Sequence, residues 1–176
     1  VWCIDHKGQF RLGDGTYCYP LTITDQFSRF ILCCEGMGAI ADAAARAHCL
    51  DVFATHGLPT VMRSDNGVPF ATAAIHGLSF LNVYWMQLGI AHQRIHPASP
   101  QENGADERMH RTLKRQAIKP VCQACTAQQR NFDAFRREYN DAGLAFHRLT
   151  TTVSDAAAAT GVSRPLPRQA HHHRRH

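Results

Sequence analysis

Apolar positions in the first third of the chain come in short runs cut by turn formers. Val1 to Asp5 reads as a short buried strand, Tyr17 to Thr24 as a second and Phe30 to Cys34 as a third. Gly13-Asp14-Gly15 marks a turn between the first two, so the three strands predict an antiparallel meander. Ala39 to Thr55 is Ala-rich and helical in propensity, with Gly57 and Pro59 as its stop. A strand from Thr60 to Ser64 ends at Asp65, where Asn66-Gly67 forces a turn. Leu78, Leu81, Trp85 and Leu88 then recur at helical spacing, and Ile90 to Ile95 reads as a fifth main strand.

The stretch His96 to Gly104 holds Pro97, Pro100 and Gly104 and reads as a loop. Ala105 to Ile118 follows as a helix halted by Pro120. A further helix is expected from Thr126, with Thr126-x-x-Gln129 as a capping box and Phe132, Phe135 and Tyr139 as its buried stripe. This order predicts an α/β fold, a five-stranded mixed sheet flanked by helices. Residues 1–143 form the expected core domain. Residues 144–176 decay into Thr, Ala, Pro, Arg and His, a C-terminal extension expected to be partly disordered.

Composition narrows the class without naming a function. A chain of 176 residues, 44% apolar and 19% charged, suits one globular domain and not a low-complexity or collagenous one. No apolar run approaches the roughly 20 residues that span a bilayer. The start lacks a secretory signal pattern and opens within a strand, without Met, as a fragment of a longer protein would. Four of the seven cysteines, Cys3, Cys18, Cys33 and Cys34, lie in apolar runs where a thiol acts as a small hydrophobe, which points to a reducing, cytoplasmic setting. Cys122-x-x-Cys125 has metal-ligand spacing, but no second pair completes a zinc site.

Charge changes the picture more. The net +5 is unevenly placed, with a strongly basic stretch from Arg108 to Lys119, and a polyanion is the natural partner for it. Against this background three acids stand out. Asp5 closes the first strand, Asp65 ends the fourth main strand, and Glu107 lies in the first turn of the expected helix after the Pro/Gly loop. If the strands ending at Asp5 and Asp65 are neighbours, the three carboxylates converge at one sheet edge. Such a cluster is tolerable when divalent cations sit among its members, and hard oxygen donors favour Mg²⁺ or Mn²⁺. Along the helix Glu107, His110, Arg111 and Lys114 share a face, a carboxylate followed by cations, while Met109, Leu113 and Ala117 lie on another that can pack on the sheet.

Four segments then carry a resemblance. Trp2-x-x-Asp5-x-Lys7-Gly8, Thr24-Asp25-x-x-Ser28-Arg29, Arg63-Ser64-Asp65-Asn66-Gly67-x-x-Phe70 and His96-Pro97-x-Ser99-Pro100-Gln101-x-Asn103-Gly104-x-x-Glu107-Arg108 occur in that order. Together they resemble the DDE-type integrase core of bacterial insertion-sequence transposases, a family similar in fold to ribonuclease H and to retroviral integrases. The resemblance implies that Asp5, Asp65 and Glu107 form the catalytic, metal-binding triad. It implies two Mg²⁺ or Mn²⁺ ions in the active complex, with Asp5 bridging them. The implied activity is DNA strand cleavage followed by transesterification to a target strand, the protein working in the bacterial cytoplasm at the nucleoid. Lys7, Arg63, Arg111 and Lys114 are the expected DNA contacts, and a homodimer or higher oligomer is expected. Asp25 matches a family position outside the triad and is expected to be structural.

Two departures leave alternatives open. The interval from Asp65 to Glu107 is 42 residues (107 − 65), longer than usual for the superfamily, and fits an insertion around Ala73 to Gly77. Glu102 is a second, less well placed acid. Beyond Asn140 the chain leaves the family's pattern, so a degenerate remnant that folds and binds DNA without catalysis is the alternative reading; a ribonuclease H-like hybrid nuclease is a third. The His171-His172-His173 tail is assigned no function.

Overall fold

A computed structural model describes residues 1–70, 78–95 and 100–151, with side chains described for these except at 100–106 and 144–151. The expected insertion around Ala73 to Gly77, the residues 96–99 and the His/Arg tail lie outside the described residues. Strands β1 (Trp2–His6), β3 (Tyr17–Asp25) and β4 (Ile31–Met37) form the meander, followed by α1 (Asp42–His56) and β5 (Val61–Ser64). A two-residue strand β2 (Phe10–Arg11) carries the hairpin with β3 beyond the end of β1. After β5 come α2 (Phe80–Gln87), β6 (Ala91–Arg94), α3 (Pro100–Leu113), a π-helical turn at Lys114–Ile118 and α4 (Cys125–Thr151).

The sheet is mixed and six-stranded; apart from β2 it has the five main strands expected. β3 lies antiparallel between β1 and β4, whereas β1–β5 and β5–β6 are parallel. Alternation along β1 sends Trp2 and Ile4 to one face and Asp5 to the other. On the first face Ile4, Leu21, Ile23 and Met62 pack with Phe53 of α1 and Trp85 of α2. On the second, Cys18, Ile31 and Cys34 pack with Met109 and Leu113 of α3, the π-turn residues Ala117 and Ile118, and Phe132 and Phe135 of α4. All four cysteines expected in the core are buried, as is Cys49.

Several boundaries differ from the sequence expectation. α3 begins at Pro100, so Gln101 to Gly104 is helical and not loop. Proline is well tolerated in the first helical turn, where its missing N–H has no intrahelical acceptor. The capping box expected at Thr126 is absent: α4 starts a residue earlier, and Ala127 and Gln128 donate to the Ala124 carbonyl. Gln129 is drawn away by the sheet. α4 also runs on through Gly143 to Thr151, across the boundary expected at 143. In α2 only Leu81 and Trp85 of the expected stripe are fully buried, and Leu78 precedes the helix and is exposed. Among the described residues no helix is long and apolar enough to cross a membrane.

What draws Gln129 away is the outer edge of β4. Its side chain accepts from Gly36 N (2.8 Å) and donates to Cys34 O (3.0 Å). Eleven positions on, at the same helical phase, Asn140 accepts from Ile31 N (2.7 Å) and donates to Ile31 O (3.0 Å), and Arg136 donates to Leu32 O (3.2 Å). One face of α4 thus takes the place of a further strand. It satisfies backbone groups that would otherwise template edge-to-edge association. Asn140→Ala should lower stability by about 1–3 kcal/mol, because it strips buried backbone groups of partners. Urea unfolding reads this as a lower midpoint at unchanged slope.

Candidate active site

The pairing of β1 with β5 decides where the first two acids lie. Ile4 sits opposite Ser64, so Asp5 and Asp65 take the next position on adjacent parallel chains. Neighbouring strands run about 4.8 Å apart. Alternation along β1 puts Asp5 on the face opposite Ile4, where His110 of α3 meets it, while Asp65 lies just past the end of β5, close enough for its charge to act on His6. Asp65 is exposed, and its Oδ1 accepts from Gly67 N (3.0 Å) to close the Asn66-Gly67 turn. A Cβ at Gly67 would come 3.1 Å from Asp65 Oδ2, so glycine lets the carboxylate fold back on its own turn. The turn-forming role and an exposed carboxylate coexist at this residue.

The third acid lies on α3, and among the described residues the carboxylates of Asp5, Asp65 and Glu107 do not all come within 4.8 Å of one another. His110 is buried; its Nε2 lies 2.9 Å from Thr22 Oγ1 and its Nδ1 lies 3.5 Å from Asp5 Oδ2. Asp5 and Thr22 are partners across the β1–β3 pair, so one imidazole ties the helix to both strands at the strand end. Glu107 is exposed and stands three residues before His110, on the same helical face one turn nearer the helix start. The sequence assigned His110 to an outward cationic stripe, and that assignment fails. Burial, aided by the Lys7 charge, holds its pKa down at about 4, so the ring is neutral near pH 7. Arg111 and Lys114 remain exposed, although the π turn beginning at Lys114 breaks the regular helical phase there. Glu102 and Asp106 belong to the stretch whose side chains are not described.

The other expected contacts are placed more loosely. Lys7 is half-buried just beyond Asp5, close enough for its charge to act on His110. Arg63, two positions before Asp65 on the same face, donates from Nε and Nη2 to Gln93 Oε1 (3.3 and 3.0 Å). Asp25 is structural as expected, its Oδ2 accepting from Ser28 N (3.0 Å) and Ser28 Oγ (2.7 Å). Beneath the acids, His6 stacks on Phe70 and Phe70 on Trp85, with ring centroids 5.8 and 6.4 Å apart. Trp85 in turn meets His92 at 5.2 Å, and His92 Nε2 lies 2.8 Å from Ser64 Oγ. The strand end that presents Asp65 is braced by this stack. Nothing in the sequence pattern marked His92 or His110 for these positions, since each depends on a partner in a distant strand.

Comparison with known proteins fits this arrangement. The sequence profile of the integrase core domain family matches residues 88–142, from the end of α2 into α4. The Gag-Pol polyprotein of baboon endogenous virus (strain M7) is 33% identical over 100 residues, which is 56% of this chain and 5% of the polyprotein. The Pol polyprotein of feline endogenous virus ECE1 is likewise 33% identical over 100 residues, 56% of this chain and 9% of that protein. The chain therefore spans only a small part of the length of these relatives. Among solved structures, a chain of the simian T-cell lymphotropic virus intasome in complex with PP2A regulatory subunit B56 gamma superposes with a TM-score of 0.55 at 16% identity. That match covers 93% of this chain and 51% of the other. The fold is the ribonuclease H-like fold of retroviral integrase catalytic cores, and the sequence matches support the retroviral integrase superfamily.

The His92 environment has a measurable consequence. Burial, with Arg94 nearby, lowers its pKa from 6.5 to about 4. As pH falls from 6.5 toward 4, the unfolded chain binds a proton that the folded chain refuses, so stability declines across that window and levels off below it. His92→Gln should flatten part of this decline, and thermal unfolding midpoints of both proteins between pH 7 and pH 4 measure the difference.

Proposed function

We propose that this chain is the catalytic core of a DDE-type polynucleotidyl transferase of the bacterial insertion-sequence class, cutting DNA and joining a freed 3′-hydroxyl to a target strand. The observation that carries the reading is the β1–β5 register together with the His110–Asp5 contact. The first sets Asp5 beside Asp65, and the second docks the helix bearing Glu107 against the same strand end. The donor set fits Mg²⁺ or Mn²⁺: its members are carboxylates, and Asp65 and Glu107 are exposed, with Asp5 partly so. Bound there, two divalent ions would supply Lewis-acid activation of the attacking oxygen and charge stabilisation for the leaving one.

The chain's own groups do the rest. Asp5, Asp65 and Glu107 hold the ions. His110 is a positioning residue: neutral and buried, it fixes the Asp5 carboxylate without adding a charge that would compete with the ions. Exposed Arg111 and Lys114 continue α3 away from the acids and neutralise DNA phosphates, with Lys7 and Arg63 nearer the strand ends. DNA ends and target are the partners, and assembly as a dimer or higher oligomer brings the two ends together.

Strand transfer in Mn²⁺ by the intact protein tests this. Asp5→Asn, Asp65→Asn and Glu107→Gln should each lower joining about a thousand-fold, the equivalent of ~4 kcal/mol of barrier, with the fold retained by circular dichroism. Asp25→Asn should change stability and leave the joining step near normal. Undiminished joining by a triad variant would remove that residue from the mechanism. Arg111→Ala and Lys114→Ala should each reduce the slope of log affinity against log salt by about 0.9.

A further inference from the structure

A second group of ligand-bearing side chains lies on the edge strand β4 and the helix beside it. Cys33 and Glu35, two positions apart on β4, point to the same face, and His48 of α1 closes over them. One ligand atom from each lies within 4.8 Å of the other two. The three line a cavity of about 360 Å³ with Asp51, which follows His48 by one helical turn. We propose that Cys33, Glu35 and His48 bind a divalent transition ion of the zinc class, with Asp51 or water as fourth ligand.

The donor chemistry selects the ion. A thiolate, an imidazole and a carboxylate form the mixed soft-to-hard set that suits Zn²⁺ and disfavours Mg²⁺, unlike the all-oxygen set at the end of β1 and β5. Ligand distances of 2.0–2.3 Å in a tetrahedron require ligand atoms roughly 3.3–3.8 Å apart. Contraction from the present spacing falls to the half-buried Glu35 and His48 side chains, while Cys33 is fixed in the core at 3% exposure.

Acidic groups gather at this recess: Asp51 lines the same cavity, and Asp133 is near enough for its charge to act on Glu35, as are the basic groups of His48 and Arg136. Binding replaces the Cys33 S–H bond by a sulfur–metal bond and releases the thiol proton to solvent, with no change of oxidation state. The cavity gives the ion a route in, and the bound ion would clasp α1 to the edge strand that α4 already covers.

Co²⁺ titration of the full chain tests the site. A thiolate-to-cobalt charge-transfer band should saturate at one equivalent and be displaced by Zn²⁺. It should disappear in Cys33→Ser and survive in Cys122→Ser, Cys125→Ser and Asp65→Asn, because the carboxylate site offers no sulfur. His48→Gln should weaken Co²⁺ by more than the roughly 10–100-fold that loss of a supporting partner costs. His48→Gln decides the matter on its own if Cys33→Ser does not fold. Absence of the band, its persistence undiminished in His48→Gln, or its loss in Cys122→Ser or Cys125→Ser overturns the proposal.

Discussion

The register of one parallel strand pair governs the candidate active site. Side chains alternate along a strand, so sliding β5 by a single residue against β1 would turn Asp65 into the core beside Phe70 and Trp85. It would also swing Met62, now fully buried, to the other face. Burying a side chain such as Ile4 or Met62 is worth roughly 1.5–3 kcal/mol, which is what holds the register against the repulsion of two adjacent carboxylates. Asp65 is exposed and Asp5 partly so, both near the strand ends. The apolar residues just before them supply the hold.

Docking of α3 brings a residue from far along the chain, His110, to the strand end that bears Asp5. Met109, Leu113 and Ala117 bind the helix to the sheet without specifying polar geometry. His110 adds that specificity through Thr22 and Asp5. Its burial keeps it neutral, so the positive charge here sits on exposed Arg108 and Arg111 of α3 and Lys114 of the π turn. One helix is thus divided into a docking face, a buried ring that contacts two strands, and an outward cationic surface.

The far edge of the sheet is governed by hydrogen bonding. β4 would be an open edge, and Gln129, Arg136 and Asn140 close it with bonds to its backbone. This closure keeps β4 seated on β3, and β3 in turn positions Thr22 beside Asp5. A covered edge also creates the recess between β4, α1 and α4 in which Cys33, Glu35 and His48 meet. The mixed donors meet on the β4 edge strand, while Asp5 and Asp65 lie at the ends of the interior strands β1 and β5.

Local pattern alone was enough to read the meander, α1 with its Gly57 stop, the short strand before Asp65, and the apolar stripes of α3 and α4. Each of these rests on residue spacing and turn chemistry within a few positions. The three acids are singled out only by the ordered motifs that carry the family resemblance, and the expectation that Glu107 opens its helix fails because α3 starts seven residues earlier, at Pro100. Only the tertiary structure decided that Gln129 leaves a cap to close β4, that α3 reaches back to Pro100, that His110 turns inward, and that Cys33, Glu35 and His48 share a recess. The physical reason is common to these: a buried polar group takes its role from a partner on another element, and that partner is chosen by packing across the sheet, which spacing along the chain does not encode.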